Sequence, residues 1–313
     1  MDNRFWRILV LCALLAGIGG CEREERQRIR LGETGTAAEA PVPEEAVVRI
    51  AVGGMITPRE GMGYYRDFLK YIQAKIGSRV VYVDREDYAE INEMLRTGQL
   101  EAAFVCSGPY VDGKRQFGLE FLAAPQAYGE TVYYSYIIVP ANSPARSLAD
   151  LRGKRFAFTD PLSNSGKLVP TYMLARMGEQ PETFFAETIF TRSHDRSIRA
   201  VAQGIVDGAA VDSLIWEYLQ ATNPEHTART RILLKSPPYG IPPVVVPPGL
   251  DPVLKEKLRE VVLNAHADPE GQKILRRMKI DRFVTVDDSL YDSVREMQAW
   301  LAQPQAGNRQ GAP

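Results

Sequence analysis

The chain is poor in cysteine and histidine and carries almost no net charge. Its three cysteines are Cys12, Cys21 and Cys106. That excludes a small domain held together by a disulfide framework. The three histidines, His194, His226 and His266, are too scattered to suggest a metal cluster. There are 38 Lys and Arg against 39 Asp and Glu, for a net charge of −1. The basic excess or stripe of a nucleic-acid protein is therefore missing. No G-x-S-x-G elbow, H-E-x-x-H or Walker loop occurs, which removes the common signposts of an enzyme. No internal repeat of fixed period is visible. What remains is ordinary globular material, 45% hydrophobic and 25% charged. Its length suggests about two domains.

The amino terminus reads as an address. Arg4 and Arg7 precede the apolar run Ile8 to Ile18, which is 11 residues long. A membrane-spanning helix takes about 20 residues, so this run suits the core of a signal peptide better. Ile18-Gly19-Gly20-Cys21 resembles a bacterial lipobox, with Cys21 as the lipidated first residue of the mature chain. A plain secretory leader with a chance cysteine is the simpler alternative. Removing residues 1–20 takes away two basic residues and one acidic residue, so the net charge moves from −1 to −2. Cys106 is then the one free thiol, and no intrachain disulfide is expected. Residues 22–46 mix charge with Gly, Thr, Ala and Pro, which is linker composition. Such a flexible tether has an r.m.s. span of about 25–30 Å.

The body alternates strands and helices. Val47 to Val52 reads as a strand. Tyr64, Tyr65, Phe68, Leu69, Ile72 and Ile76 follow at helical spacing, with Gly77 as C-cap. Val80 to Val83, a helix from Tyr88 to Leu95, and the strand Ala102 to Val105 continue the pattern. A long β-rich run covers Thr131 to Val139, and Arg155 to Phe158 is a further strand. Another strand–helix–strand pattern reaches Val211, Tyr239 to Val246 is extended, and the last 65 residues are mainly helical. This predicts α/β architecture with parallel sheets. Two lobes are expected, residues 47–138 plus 244–302 and residues 139–243, joined by a two-segment hinge. A tail over 303–313 is expected to be disordered. One large doubly wound sheet is the alternative.

The segment with the clearest chemistry is Asp160-Pro161-Leu162-Ser163-Asn164-Ser165-Gly166, between a strand and a helix. A helix start there exposes unpaired N–H groups, and Ser163 and Ser165 add hydroxyl donors. Gly166 allows close approach to the backbone. The loop suits an anion of phosphate type, or it is an N-cap with no ligand at all. Lys167 is either a phosphate ligand or, more simply, a solvent-facing side chain.

Phe158 to Pro170 resembles the signature of the phosphate/phosphite/phosphonate-binding (PhnD-type) receptors of ABC importers. Ser193-His194-Asp195, Ala200 to Asp207 and Ala210-Val211-Asp212-Ser213 are similar to that family's further motifs. So are Asp87-Tyr88-Ala89, Gly108-Pro109-Tyr110, Ser236-Pro237-Pro238 and Val244-Val245-Val246. The resemblance spans roughly residues 47–290 and implies a bilobal type II periplasmic-binding-protein fold, two Rossmann-like lobes closing on an oxyanion. It implies Ser163, Asn164, Ser165 and Gly166 as the oxyanion cradle and His194 as a donor. Tyr88 and Tyr133 would be pocket walls. Asp212 would accept from a protonated ligand oxygen or orient His194. Read from the residues alone, His194 is a satisfied histidine, Asp212 a helix cap and Tyr88 core packing. Receptors for aminoethylphosphonate place acids where Leu214 and Pro242 stand here, which favours phosphate, phosphite or methylphosphonate.

Cys106 follows a strand end, where open α/β sheets bind ligands. It is either an inert buried cysteine or a pocket thiol for a soft ligand such as arsenite. The expected partners are a small oxyanion, an importer's permease and ATPase, and the membrane through the lipid anchor. The expected state is a monomer in the periplasm or at the cell surface. No cofactor, metal, nucleic acid or enzymatic activity is expected. The alternative function is a sensory subunit that binds an oxyanion such as arsenite and signals to a membrane histidine kinase.

Overall fold

A computed structural model describes residues 47–53 and 58–303, with residues 58–62 and 64 described by backbone alone. The expected leader, Cys21 and its linker lie outside the described residues, as does the tail beyond residue 303. The first strands and helices are β1 (Val47–Val52), α1 (Pro58–Ile76), β2 (Arg79–Val83), α2 (Tyr88–Arg96), β3 (Ala102–Phe104), α3 (Ser107–Phe117) and β4 (Glu120–Gln126). Next come β5 (Val132–Tyr133), β6 (Ser135–Pro140), β7 (Arg155–Phe158), α4 (Val169–Arg176), α5 (Pro181–Phe184) and β8 (Glu187–Phe190). They are followed by α6 (His194–Ala202), β9 (Gly208–Asp212), α7 (Ser213–Thr222) and β10 (Thr230–Lys235). The chain ends with β11 (Tyr239–Gly240), β12 (Val244–Val246), α8 (Pro252–Asn264), α9 (Pro269–Met278), β13 (Arg282–Val284) and α10 (Asp292–Ala302).

Among the described residues two large sheets form, in the orders β13-β4-β12-β3-β1-β2 and β10-β6-β9-β7-β8, with a two-stranded ribbon β11-β5 besides. In each, three strands run parallel and a fourth is inserted antiparallel beside them: β12 against β3, and β6 against β9. Both faces of the first sheet are covered, so its strands are apolar on both sides. Ile50, Val52 and Phe104 pack with α1, α8 and α9, while Ala51, Ala103 and Val105 pack with α2, α3 and α10. In the second sheet Ile138 and Val211 face α6 and α7, and Ile137, Val139 and Phe156 face the other way.

The two sheets are built alike. Arg49, at the start of the first parallel set, donates to Glu101 52 residues later. Arg155 and Asp207 repeat this at the same separation. The same guanidinium groups reach Gly98 O and Gly204 O, and both glycines take the left-handed conformation, with φ of 69° and 70°. One constant offset in numbering relates Arg49 to Arg155, Tyr88 to His194 and Cys106 to Asp212. The same offset pairs Ala51 with Ala157, Ala103 with Ala209 and Val105 with Val211, matches too sparse to stand out as a period in the sequence.

The β-rich run Thr131 to Val139 is broken at Tyr134. β5 pairs with β11, Tyr133 opposite Tyr239, and binds the two chain crossings together. Ser135 and Ser236 tie the crossings again: Ser135 N donates to Ser236 Oγ at 2.9 Å. Gly240 is required here, because a Cβ would sit 2.8 Å from Leu290 O. Sequence patterning missed α3, whose Gly108, Pro109 and Gly113 argue against a helix. Pro109 sits in its first turn, where the missing N–H is harmless.

Phe68 and Phe283 stack 5.4 Å apart in the first lobe's core, and both are fully buried. Phe283→Ala is expected to destabilise the fold by about 3–5 kcal/mol. Urea unfolding should show a lower midpoint with an unchanged slope.

Candidate functional site

Helix starts from both halves of the fold converge on one buried polar cluster. Tyr88 is the first residue of α2, and Cys106 is the N-cap of α3. His194 is the first residue of α6, and Asp212 is the N-cap of α7. Tyr133 lies in the crossing ribbon, and Ser163, Asn164 and Ser165 open the segment that leads into α4. All of these side chains are buried. The expected pocket residues thus lie in one region, although the chain separates Tyr88 from Asp212 by more than a hundred positions.

His194 is set by its neighbours. Asp212 N donates to His194 Nδ1 at 3.0 Å, and Thr159 Oγ1 lies 3.2 Å from the same nitrogen. A backbone amide can only donate, so Nδ1 is the acceptor and the ring proton sits on Nε2. Burial pushes the imidazole pKa down to about 3, so the ring is neutral. Nε2–H has no protein partner.

Asp212 fills one of its expected roles, the helix cap, and leaves one oxygen over. Its Oδ1 accepts from Leu214 N at 2.8 Å, which caps α7. Its Oδ2 is buried without a partner. His194 is oriented by the Asp212 backbone and not by its carboxylate. Burial pushes the Asp212 pKa up to about 7, against the lowering effect of the Leu214 and Ile215 amides.

Tyr133 Oη accepts from Asn164 Nδ2 at 3.0 Å and lies 3.7 Å from Cys106 Sγ. Burial raises the Cys106 thiol above its ordinary pKa, which disfavours the thiolate that a soft-ligand reading requires.

The loop differs in detail from expectation. Ser163 Oγ accepts from Gly166 N at 3.0 Å, so that amide is already used in capping. The helix begins with a π-helical turn over Asn164–Leu168 before α4. Gly166 is needed for packing inside its own lobe: a Cβ there would lie 2.5 Å from Thr159 Oγ1. Lys167 is neither a ligand-facing group nor a solvent-facing one. Its Nζ sits 3.9 Å from the centroid of the Phe158 ring, and burial lowers its pKa.

The sequence reading missed the residues that hold the lobes together. Asp160 Oδ1 accepts from Leu162 N, while Oδ2 accepts from Tyr88 N at 3.3 Å across the lobe boundary. Arg192 pairs with Asp87 at 2.8 Å, and Arg196 pairs with Glu86 at 2.6 Å. These pairs are exposed, and each contributes about 0–1 kcal/mol. Gly108 packs against Leu162 and Asn164 of the opposite lobe, which explains why α3 carries a glycine in its first turn. Asp160 was visible in the loop, but nothing in one sequence marks it as a cross-lobe acceptor.

Five buried polar atoms in the cluster lack protein partners: Tyr88 Oη, Asn164 Oδ1, Ser165 Oγ, His194 Nε2 and Asp212 Oδ2. Buried groups of this kind are normally hydrogen-bonded. Three can donate and two can accept. Among the described residues no group of three or more His, Cys, Asp or Glu is placed to hold a metal ion.

A family model described as “ABC transporter, phosphonate, periplasmic substrate-binding protein” matches residues 55–291. The chain belongs to that family. It is 28% identical to the phosphonates-binding periplasmic protein of Escherichia coli K12, over 74% of this chain and 69% of that protein. It is 24% identical to the probable ABC transporter phosphite-binding protein PhnD1 of Prochlorococcus marinus, over 74% of this chain and 81% of that one. A crystal structure of a phosphonate-transporter binding component from Pseudomonas aeruginosa superposes with a TM-score of 0.77 at 26% identity. That match covers 82% of this chain and 86% of the other. The fold is the type II periplasmic-binding-protein fold, and this family member is a periplasmic transport component.

A side chain at Gly108 would collide with the Leu162 carbonyl across the lobe boundary. Gly108→Ala is therefore expected to weaken the packing of the two lobes. Overpacking of this kind costs about 1–3 kcal/mol, and a lower midpoint in urea unfolding checks it.

Proposed function

We propose that the chain captures one small phosphorus oxyanion between its lobes and delivers it to an ABC importer. The observation that carries this reading is the set of five buried, partnerless polar atoms on both lobes, ringed by helix starts. Ser165 O–H, His194 Nε2–H and Tyr88 O–H are donors for ligand oxygens. Ser163 and Gly166 shape the loop through the Gly166 N–Ser163 Oγ bond, Asn164 lines it, Tyr133 positions Asn164, and the neutral Cys106 packs beside Tyr133. The positive ends of the helix dipoles supply the field without a basic surface. Asp212 Oδ2 accepts from a protonated ligand oxygen, so a phosphorus oxyanion that keeps one proton fits better than a fully ionised one. The E. coli and Prochlorococcus relatives are named for phosphonates and phosphite, which supports the same ligand class. Phosphate, phosphite and methylphosphonate are the first candidates.

In this reading residues 1–20 are a secretory leader. Cys21 carries lipid, and the segment to residue 46 tethers the monomeric receptor near its permease and ATPase. The two lobes close as one unit on the ligand.

Isothermal titration with phosphate, phosphite and methylphosphonate tests the proposal, with sulfate as the unprotonated control. Binding of at least one phosphorus oxyanion, tighter than sulfate, is expected; no binding to any of the three overturns it. A hydrogen bond to a charged group contributes about 1.5–3 kcal/mol, so Ser165→Ala should weaken binding about 10- to 150-fold.

Affinity should also depend on pH. The complex holds one proton between Asp212 and the ligand more tightly than the free protein, where Asp212 titrates at about 7. Affinity is then expected to fall as pH rises above about 7. Asp212→Asn keeps an oxygen for the Leu214 amide and should flatten that dependence.

A further inference from the structure

The π-helical turn before α4 leaves one of its carbonyls over. Its bonds run from Leu168 N to Ser163 O at 2.9 Å and from Val169 N to Asn164 O. The next acceptor in that series is Ser165 O, and its donor would come from position 170. Pro170 stands there and has no N–H. An α-helical bond would need Val169 N, which is committed to Asn164 O. Ser165 O is therefore an orphan of its own helix, in a buried place where a carbonyl needs a partner.

The partner comes from a chain crossing. Ser135 Oγ donates to Ser165 O at 2.6 Å, and both residues are fully buried. Ser135 is the first residue of β6, directly after the crossing ribbon. Its amide donates to Ser236 Oγ beside the other crossing, and its carbonyl accepts from Ser236 N at 3.0 Å. In the β6–β9 ladder it stands opposite Asp212. One residue thus joins both chain crossings, the strand that carries Asp212 and the turn that carries Ser165.

We propose that Ser135 is a positioning residue for ligand capture. Its hydroxyl stands in for the amide that Pro170 lacks and holds the π-helical turn in register, so that the Ser165 hydroxyl faces the oxyanion. The proposal rests on the oxyanion reading above and extends it to a side chain whose own donor is already used. π-Helical turns of this kind often occur at functional sites. Without the Ser135 hydroxyl, the simplest repair is for Val169 N to turn to Ser165 O. That tightens the turn to an α-helical one and swings the Ser165 side chain out of its present direction. The same contact fastens the ligand loop to the chain crossings, and not to its own helix alone.

Calorimetric titration with phosphate, phosphite and methylphosphonate is the test, read on whichever of the three the wild type binds most tightly. Ser135→Ala leaves Ser165 O without a donor and should weaken binding about tenfold. In a Ser165→Ala background there is no hydroxyl to place, so adding Ser135→Ala should change affinity less than about twofold. A residue that only supports the fold would cost the same factor in both backgrounds. Pro170→Ala returns an N–H to position 170. The Ser135→Ala/Pro170→Ala double variant should therefore fold and bind nearly as well as wild type, even where Ser135→Ala alone is too unstable to titrate. Equal losses with and without the Ser165 hydroxyl overturn the proposal while leaving the oxyanion reading intact. So does wild-type affinity in Ser135→Ala, or a double variant that does not recover. A wild type that binds none of the three ligands removes the oxyanion reading and this role with it.

Discussion

One hydrogen bond organises the site: the Asp212 amide donating to His194 Nδ1 at 3.0 Å. It joins the end of β9 to the start of α6 inside the second lobe. It forces the imidazole proton onto Nε2, the nitrogen with no protein partner. Burial keeps the ring neutral, so it acts as a fixed donor and not as a charge. The carboxylate of the same Asp212 is left to cap α7 with one oxygen and to present the other. A donor and an acceptor are thus delivered side by side by one residue's backbone and side chain.

The second constraint is the doubled architecture. Each lobe places the start of a helix after its second and third parallel strands, so the two lobes present four helix starts at the site. Equivalent positions carry different residues: Tyr88 answers His194, and Cys106 answers Asp212. The second lobe holds the ionisable partners, and the first contributes a tyrosine and a neutral thiol. This division suits a proposed anion held by dipoles and hydroxyls, in a protein with almost no net charge.

Much of this was legible from residue patterns. Alternating strands and helices announced α/β lobes, and the loop Asp160 to Gly166 announced a helix start with hydroxyls. The joint spacing of motifs pointed to the family. The reasons behind particular residues were less legible. Gly166 seemed suited to a ligand's approach, yet Thr159 is what fills the space beside it. Lys167 had two plausible positions, and the aromatic surface of Phe158 supplied a third. Asp160 and Gly108 were visible within motifs but not as contacts between the lobes, because one sequence does not record which distant residues touch.

Period, composition and short motifs by themselves determined the local elements, the fold class and the types of side chain available for an anion. These depend on interactions within a few residues, and the chain order displays those directly. Tertiary structure alone decided which nitrogen of His194 carries the proton, which oxygen of Asp212 is left unpaired, and which lobe supplies the partner of Asp160 Oδ2. Each of those outcomes depends on burial and on contacts between segments far apart in the chain, where a shift of about 1 Å separates a hydrogen bond from none.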